Sequence, residues 1–191
     1  YLVDEASARA SGLEAVNVVV READGRLVGD NVDGEGFVHG LGQRRFTVPG
    51  KRAIVFGCGG AGSSIALSLA DAGIGALHLV DVDASRAEAL AAFIASRHGV
   101  SLETGPPVSL ADSDLVVNAT AIGLDGTSMV HSLETVRADA LVADVLAVAE
   151  LTPWLRRAQE RGCAIQSGSA MAEGQFGLIA ERFGLRLDLR R

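Results

Sequence analysis

Lysine is almost missing from this sequence: Lys51 stands alone, and the other sixteen of the 17 basic residues are arginine. Any chemistry that needs an amine from these residues has one candidate. Cysteine is nearly as scarce. Cys58 and Cys163 lie far apart in unlike contexts, which excludes a disulfide framework and suits a reducing compartment, the cytoplasm. Two cysteines and four histidines, none clustered, leave no set with metal-ligand spacing. Positive charge is outweighed, 24 acidic residues against 17 basic, and a net charge of −7 argues against nucleic acid or an anionic membrane surface as the main partner. No apolar run approaches the ~18 residues of a membrane span, and no basic segment precedes an apolar stretch at the start. What is present is aliphatic. Hydrophobic residues make up 48% of the 191, enough for a sizeable core in one domain plus part of another. The chain opens at Tyr1 without an initiator Met and reads as a fragment of something longer.

The first 44 residues look like the tail of a domain. A helix is expected around Val3–Ser11, then a β-branched strand at Ala15–Val20. Ala23-Asp24-Gly25 signals a turn into the extended run Arg26–Val32, so a hairpin is predicted, followed by a short helix at Gly34–Leu41. From Lys51 onward strands and helices alternate strictly. Arg52–Gly57, Ala76–Asp81, Val100–Glu103, Asp114–Asn118, Ala140–Val145 and Cys163–Gln166 read as strands, with helices at Ser63–Ala72, Ser85–His98 and Thr152–Arg161. Alternation of this kind implies right-handed crossovers and a parallel, doubly wound α/β sheet of the Rossmann type. A last helix, Met171–Phe183, carries Gln175 on the same stripe as Met171, Leu178 and Ile179. That amide is either a boundary glutamine or a polar group aimed at a ligand. The expected division is the tail of a domain at 1–44, the alternating α/β domain at 45–168 and a last helix at 169–191.

One motif carries chemistry on its own. Gly57-Cys58-Gly59-Gly60-Ala61-Gly62 fits G-x-G-x-x-G, closes a strand and opens a helix. Gly57 permits a tight turn, Gly59 lets backbone approach a pyrophosphate, and Gly62 permits close helix–strand packing, while the helix N-terminus offers free N–H groups to the phosphates. Asp81 ends the second strand nineteen residues after Gly62, the place for an acid on the adenosine ribose. A carboxylate there accepts ribose hydroxyls and repels a 2′-phosphate, so NAD is favoured over NADP. Asp83 reads as the N-cap of the next helix. Asn118–Gly123 follows a strand directly, at the carboxyl edge where such sheets bind ligands, and Gly29–Gly34 joins the hairpin to a helix. Either segment, taken alone, is also readable as an ordinary capped turn.

Taken together, in this order, the segments resemble the shikimate dehydrogenase family, which includes the quinate/shikimate dehydrogenases. AVNVV at 15–19 resembles the family's AVNT, GDNVDGEGF at 29–37 its GxNTDGxGF, and NATAIG at 118–123 its NATxxGM. DV at 144–145, TPWLRRAQERGC at 152–163 and GSAMAEGQ at 168–175 match its C-terminal pattern. The similarity runs from about Tyr1 to Phe183 and covers only the second half of a family member, which implies that 1–44 is a remnant of the substrate domain, 45–168 the NAD(P)-binding Rossmann domain and 169–191 a helix returning toward the substrate domain.

The resemblance implies hydride transfer between a nicotinamide cofactor and a small cyclic hydroxy acid such as shikimate, a step of aromatic amino acid biosynthesis. It implies substrate contact by Asn17, Asp33 and Gln175, with Asp33 the acidic half of a catalytic Lys–Asp pair. The family's lysine lies upstream of AVNT, and Lys51, at the entry to the first Rossmann strand, cannot stand in for it. Gly60, Ala61, Asn118, Thr120 and Met171 complete the implied cofactor set beside Gly57, Gly59, Gly62 and Asp81. Several positions depart from the pattern: Val18 and Val32 replace threonines, Ala147 replaces a substrate-facing tyrosine, Ala149 a proline and Ala172 a leucine. Losing a tyrosine hydroxyl removes a hydrogen bond of ~1 kcal/mol, which opens the choice of ring acid, quinate included. Two rivals stand beside this reading, a catalytically silent NAD-binding module and another Rossmann enzyme such as a methylenetetrahydrofolate dehydrogenase; the NVDG, NAT and GQ segments disfavour the latter. The bare edge of the Ala15–Val20 strand invites self-association as a homodimer.

Overall fold

Short β-branched runs at the start of the chain pair into a small sheet, and the longer aliphatic runs after Lys51 pair into a large one. The computed structural model describes residues 2–107 and 109–185. Glu5–Ala6 (β1), Ala8–Leu13 (α1), Val18–Arg21 (β2) and Leu27–Asp30 (β3) form the first group, and Asp33–Gln43 (α2) leads out of it. β2 and β3 make the expected antiparallel hairpin, with Val18 opposite Asp30 and Arg21 opposite Leu27. Glu5 and Ala6 lie parallel beside Val28 and Gly29, so the sheet order is β1-β3-β2. The helix expected from Val3 therefore starts later. Ser7 caps it, its hydroxyl accepting the Ala10 N–H at 3.1 Å, and the residues before that cap are drawn into the sheet.

The second group runs Arg52–Phe56 (β4), Gly60–Asp71 (α3), Ala76–Val80 (β5), Ala84–Ala95 (α4), Ser101–Thr104 (β6), Leu115–Asn118 (β7), Leu141–Asp144 (β8), Pro153–Glu160 (α5), Ala164–Gln166 (β9) and Gly168–Arg182 (α6). Its six strands are all parallel in the order β6-β5-β4-β7-β8-β9, the doubly wound α/β sheet that the alternation predicted. The order reverses between β4 and β7, so a crevice opens at their carboxyl ends. β7 and β8 are buried along their whole length because packed layers cover both faces. One core, with Phe37, Leu41, Ile65, Leu69 and Met171, lies on the α3 side; the other gathers around Phe56, Trp154 and Leu155 on the α5 side.

α2 joins the two sheets and is unusually rich in glycine for a helix. Close approach is the reason: a Cβ at Gly34 would lie 2.0 Å from the Ser64 carbonyl oxygen of α3, and one at Gly36 would lie 2.4 Å from Cγ of Gln175 on α6. The small sheet is tied on by charge. Arg9 donates to Asp71 at 2.5 Å, and Arg182 of α6 donates to Asp30 of β3 at 2.6 Å. No described helix is long and apolar enough to cross a membrane.

Candidate active site

β4 ends at Phe56 and α3 begins at Gly60, so the turn at the crevice is three residues long. Gly57, Gly59 and Gly62 of the motif have three different surroundings. Gly57 has φ of 94°, and a Cβ there would lie 2.8 Å from the Ala119 carbonyl oxygen. A Cβ at Gly62 would lie 1.9 Å from the Gly57 carbonyl oxygen, so α3 rests directly on the turn. A Cβ at Gly59 would meet no atom within 4 Å. The glycine read as the one a pyrophosphate approaches is the one beside open space. The first backbone bond of α3 runs from the Ser63 N–H to the Gly59 carbonyl, so the N–H groups of Gly60, Ala61 and Gly62 precede it and face outward for an anion.

The crevice beside this turn is a cleft of 630 Å³ lined by Phe56, Gly57, Gly59, Val80, Asp81, Val82, Pro106, Pro107, Ala119, Thr120, Ile122 and His131 among others. Asp81 stands at its rim with a fixed carboxylate. Oδ2 accepts the Cys58 N–H at 2.7 Å and Oδ1 accepts the Asp83 N–H at 3.0 Å, tying together the turns after β4 and β5. Asp83 caps α4 as read, accepting the Ser85 N–H at 3.1 Å. Burial and the neighbouring Asp81 charge push the Cys58 thiol up to about 12, so it stays a protonated packing group.

Asn118 is wholly buried and its side chain is spent inside its own loop. Nδ2 donates to the Ile122 carbonyl at 2.9 Å, and Oδ1 accepts the Thr120 N–H at 3.0 Å and the Thr120 hydroxyl at 2.7 Å. Its side chain shapes the cleft wall from behind, while Thr120 lines the cleft directly. The Met171 side chain is buried in the core with Phe37, because α6 turns that face toward α2. Asp144, beside Asn118 at the end of β8, accepts the Thr152 hydroxyl at 2.8 Å, and burial pushes its carboxyl above the usual carboxylate range. The DV and TP segments thus meet as a structural joint.

At the other end, Asp33 opens α2 and Gln175 sits midway along α6. Gln175 Nε2 donates to Asp33 Oδ1 at 2.9 Å, across 142 residues of sequence. Asn17, just before β2, accepts the Val32 N–H on Oδ1 at 3.0 Å and so borders the same loop. Lys51 is far from it: Nζ donates to Asp114 at 3.3 Å, at the opposite end of β4 from the glycine turn. Asp30, three residues before Asp33, sits in a denser network. Burial alone would raise its carboxyl, but the Ser7 hydroxyl, the Arg182 guanidinium and the Asn31 N–H hold it below the usual range. Sequence reasoning also missed Arg86, which lines the cleft from the first turn of α4 and lies 3.7 Å from Asp83. Its spacing from Asp81-Val82-Asp83 was the available signal. Among the described residues no group of three or more His, Cys, Asp or Glu is placed to hold a metal ion.

No protein-family model matches the chain. The shikimate dehydrogenase (NADP(+)) of Rhodospirillum rubrum is 38% identical over 194 residues, covering 94% of this chain and 69% of that protein. The chain belongs to the shikimate dehydrogenase family. A second relative, the quinate/shikimate dehydrogenase (NAD(+)) of Corynebacterium efficiens, is 36% identical over 200 residues, covering 100% of this chain and 69% of its own length. Family members thus carry either cofactor in their names. Among solved structures, the ligand-free 5-ketofructose reductase of Gluconobacter sp. strain CHM43 superposes with a TM-score of 0.87 at 33% identity, covering 98% of this chain and 69% of that one. The chain therefore spans about two thirds of the length of these relatives.

Proposed function

We propose that these residues form the cofactor half and part of the substrate half of an NAD-preferring dehydrogenase that acts on a cyclic hydroxy acid of the shikimate/quinate type. The observation that carries the reading is the Asp33–Gln175 hydrogen bond, which joins two implied substrate residues at 2.9 Å. The residues present fit a dinucleotide: open space at Gly59, outward N–H groups at Gly60, Ala61 and Gly62, Thr120 on the cleft wall and a fixed carboxylate at Asp81. When bound, a nicotinamide cofactor supplies a hydride acceptor or donor. The chain's own residues manage the proton. Gln175 occupies Asp33 Oδ1 and turns the carboxylate so that Oδ2 is left to hold the substrate's hydroxyl proton. Asn17, with Oδ1 committed to the Val32 N–H, has its amide nitrogen left for a substrate oxygen.

The preference for NAD rests on charge. Asp81 and Asp83 stand where a 2′-phosphate would lie, and the nearby cation, Arg86, is partnered by Asp83. One such interaction of ~1.4 kcal/mol makes NAD bind about 10-fold tighter than NADP. Calorimetric titration of both cofactors decides this, and equal or tighter NADP binding sinks it. Turnover by these 191 residues is a separate matter. Asp33 is paired here by an amide and not by an amine, and the sole lysine is committed to Asp114. The expected result is cofactor binding without steady NADH formation from shikimate or quinate. NADH production that Asp33→Ala abolishes would overturn that expectation while supporting the role of Asp33. Self-association through the free edge of β2 belongs to the same proposal, and sedimentation over a concentration series tests it.

A second reading is favoured by two observations. Val18 and Val32 are buried and Ala147 offers only a methyl, so three positions lack the hydroxyls of the family pattern, and one structural neighbour is named a 5-ketofructose reductase. A polyhydroxy ketone without a carboxylate is the alternative substrate class. Competition between shikimate, quinate and 5-ketofructose for binding in the presence of NAD separates the two.

A further inference from the structure

The wall of the nucleotide cleft between β6 and β7 is built from an unusual segment. Gly105, Pro106 and Pro107 follow β6, and the two prolines line the cleft with Val80, Asp81 and Val82. Neither proline has an N–H with which to tie itself down. Among the described residues Gly105, at φ of 95°, makes one long backbone bond, its N–H lying 3.3 Å from the Leu79 carbonyl oxygen. The short tie comes from the side: Nε2 of His78 lies 2.8 Å from the Gly105 carbonyl oxygen. A carbonyl accepts only, so Nε2 carries the proton.

His78 sits in the middle of β5 between buried Leu77 and Leu79, a position where a parallel strand ordinarily takes an aliphatic side chain. Its other ring nitrogen faces Glu103 on β6, 3.7 Å away, and Arg52 on β4 reaches the same carboxylate at 3.9 Å. Behind the proline wall lies a second cavity, of 500 Å³, which is lined by Arg52, His78, Glu103 and again Pro106. Pro106 is thus a partition with open space on both sides, and the imidazole is what fixes the turn that carries it.

We propose that His78 is a positioning residue for cofactor binding: its Nε2–H bond to the Gly105 carbonyl holds the Pro106–Pro107 wall at the adenosine end of the cleft. The proposal rests on the dinucleotide reading of that cleft. It predicts an effect confined to one half of the cofactor.

The test is an NMR titration of the 191-residue chain with AMP and, separately, with nicotinamide mononucleotide, beside a melting temperature for each variant. In His78→Leu the affinity for AMP is expected to fall about three- to tenfold, the scale of one lost hydrogen bond, with the mononucleotide affinity unchanged. His78→Gln, whose amide nitrogen can occupy the Nε2 position, is expected to recover most of the AMP affinity. Pro106→Gly leaves β5 intact, loosens the same wall and is expected to reproduce the AMP-selective loss. Unchanged AMP affinity in a folded His78→Leu or in Pro106→Gly overturns the proposal. So does an equal loss for both ligands that follows the melting temperature and that Gln does not rescue. A wild-type chain that binds no AMP overturns the cleft reading and the proposal with it.

Discussion

The two ends of this site are made of different material. At the nucleotide end the geometry belongs to the backbone: two glycines that admit no side chain, a third beside open space, and N–H groups at the start of α3. At the end proposed to handle the proton it belongs to side chains brought from far apart, Asp33 from α2 and Gln175 from α6, with Asn17 beside them. A backbone-built site is encoded in a few consecutive residues and stands or falls with the local fold. A side-chain-built site depends on how helices pack, and it can lose function while the fold stays intact.

The largest expected effect separates glycines within the first end. Gly62→Ala puts a Cβ 1.9 Å from a carbonyl oxygen and is expected to cost about 2–3 kcal/mol of stability and to abolish NAD binding. Gly59→Ala adds its methyl to open space, so the melting temperature should hold while NAD affinity falls tenfold or more. Thermal unfolding and calorimetry on both variants check this, and similar losses of stability in the two would erase the distinction.

Next in size is cofactor choice. Replacing Asp81 by Asn and Asp83 by Thr removes both carboxylates from the rim and frees Arg86, and the NADP-to-NAD affinity ratio is expected to rise about 10-fold. No change in the ratio would show that the rim charge does not select. At the other end, Gln175→Met keeps an unbranched chain beside Gly36 but removes the amide from Asp33. Stability should drop by about 1 kcal/mol with NAD affinity within roughly twofold of wild type. A matching loss of NAD affinity would mean that the two ends are coupled.

The smallest effect concerns pH. Asp30 is held below its ordinary 3.8 in the folded protein, so it binds a proton less readily folded than unfolded. Its contribution is fully present above about that ordinary value and is lost as pH falls through the lower folded one. In acid unfolding, Asp30→Asn should flatten the loss of stability below pH ~4, and Arg182→Gln should do the same in part. Wild-type acid sensitivity in Asp30→Asn would remove the Ser7–Asp30–Arg182 network as a cause.

How much could be read in advance follows the same division. The alternation after Lys51 gave the parallel sheet because strand and helix periods are local, and G-x-G-x-x-G gave the turn because each glycine's constraint comes from neighbours within a few residues. The start of α1 was misplaced because β1 forms only when β3 is beside it; nothing within Leu2–Ser7 announces a parallel partner more than twenty residues away. The side-chain partners of Asn118 and Met171 were not legible either, because packing alone turns one into its own loop and the other into the core.

The 191 residues by themselves determined the class of sheet, the nucleotide turn and the acid at the end of the second Rossmann strand, since period, chirality and steric exclusion act over short stretches of chain. Tertiary structure alone decided that Gln175 bonds Asp33, that Arg182 holds Asp30 and that His78 braces the proline wall. Those contacts join segments from 27 to 152 residues apart. A hydrogen bond is directional and spans about 3 Å, so helix packing and strand register must be set before such a pair can meet.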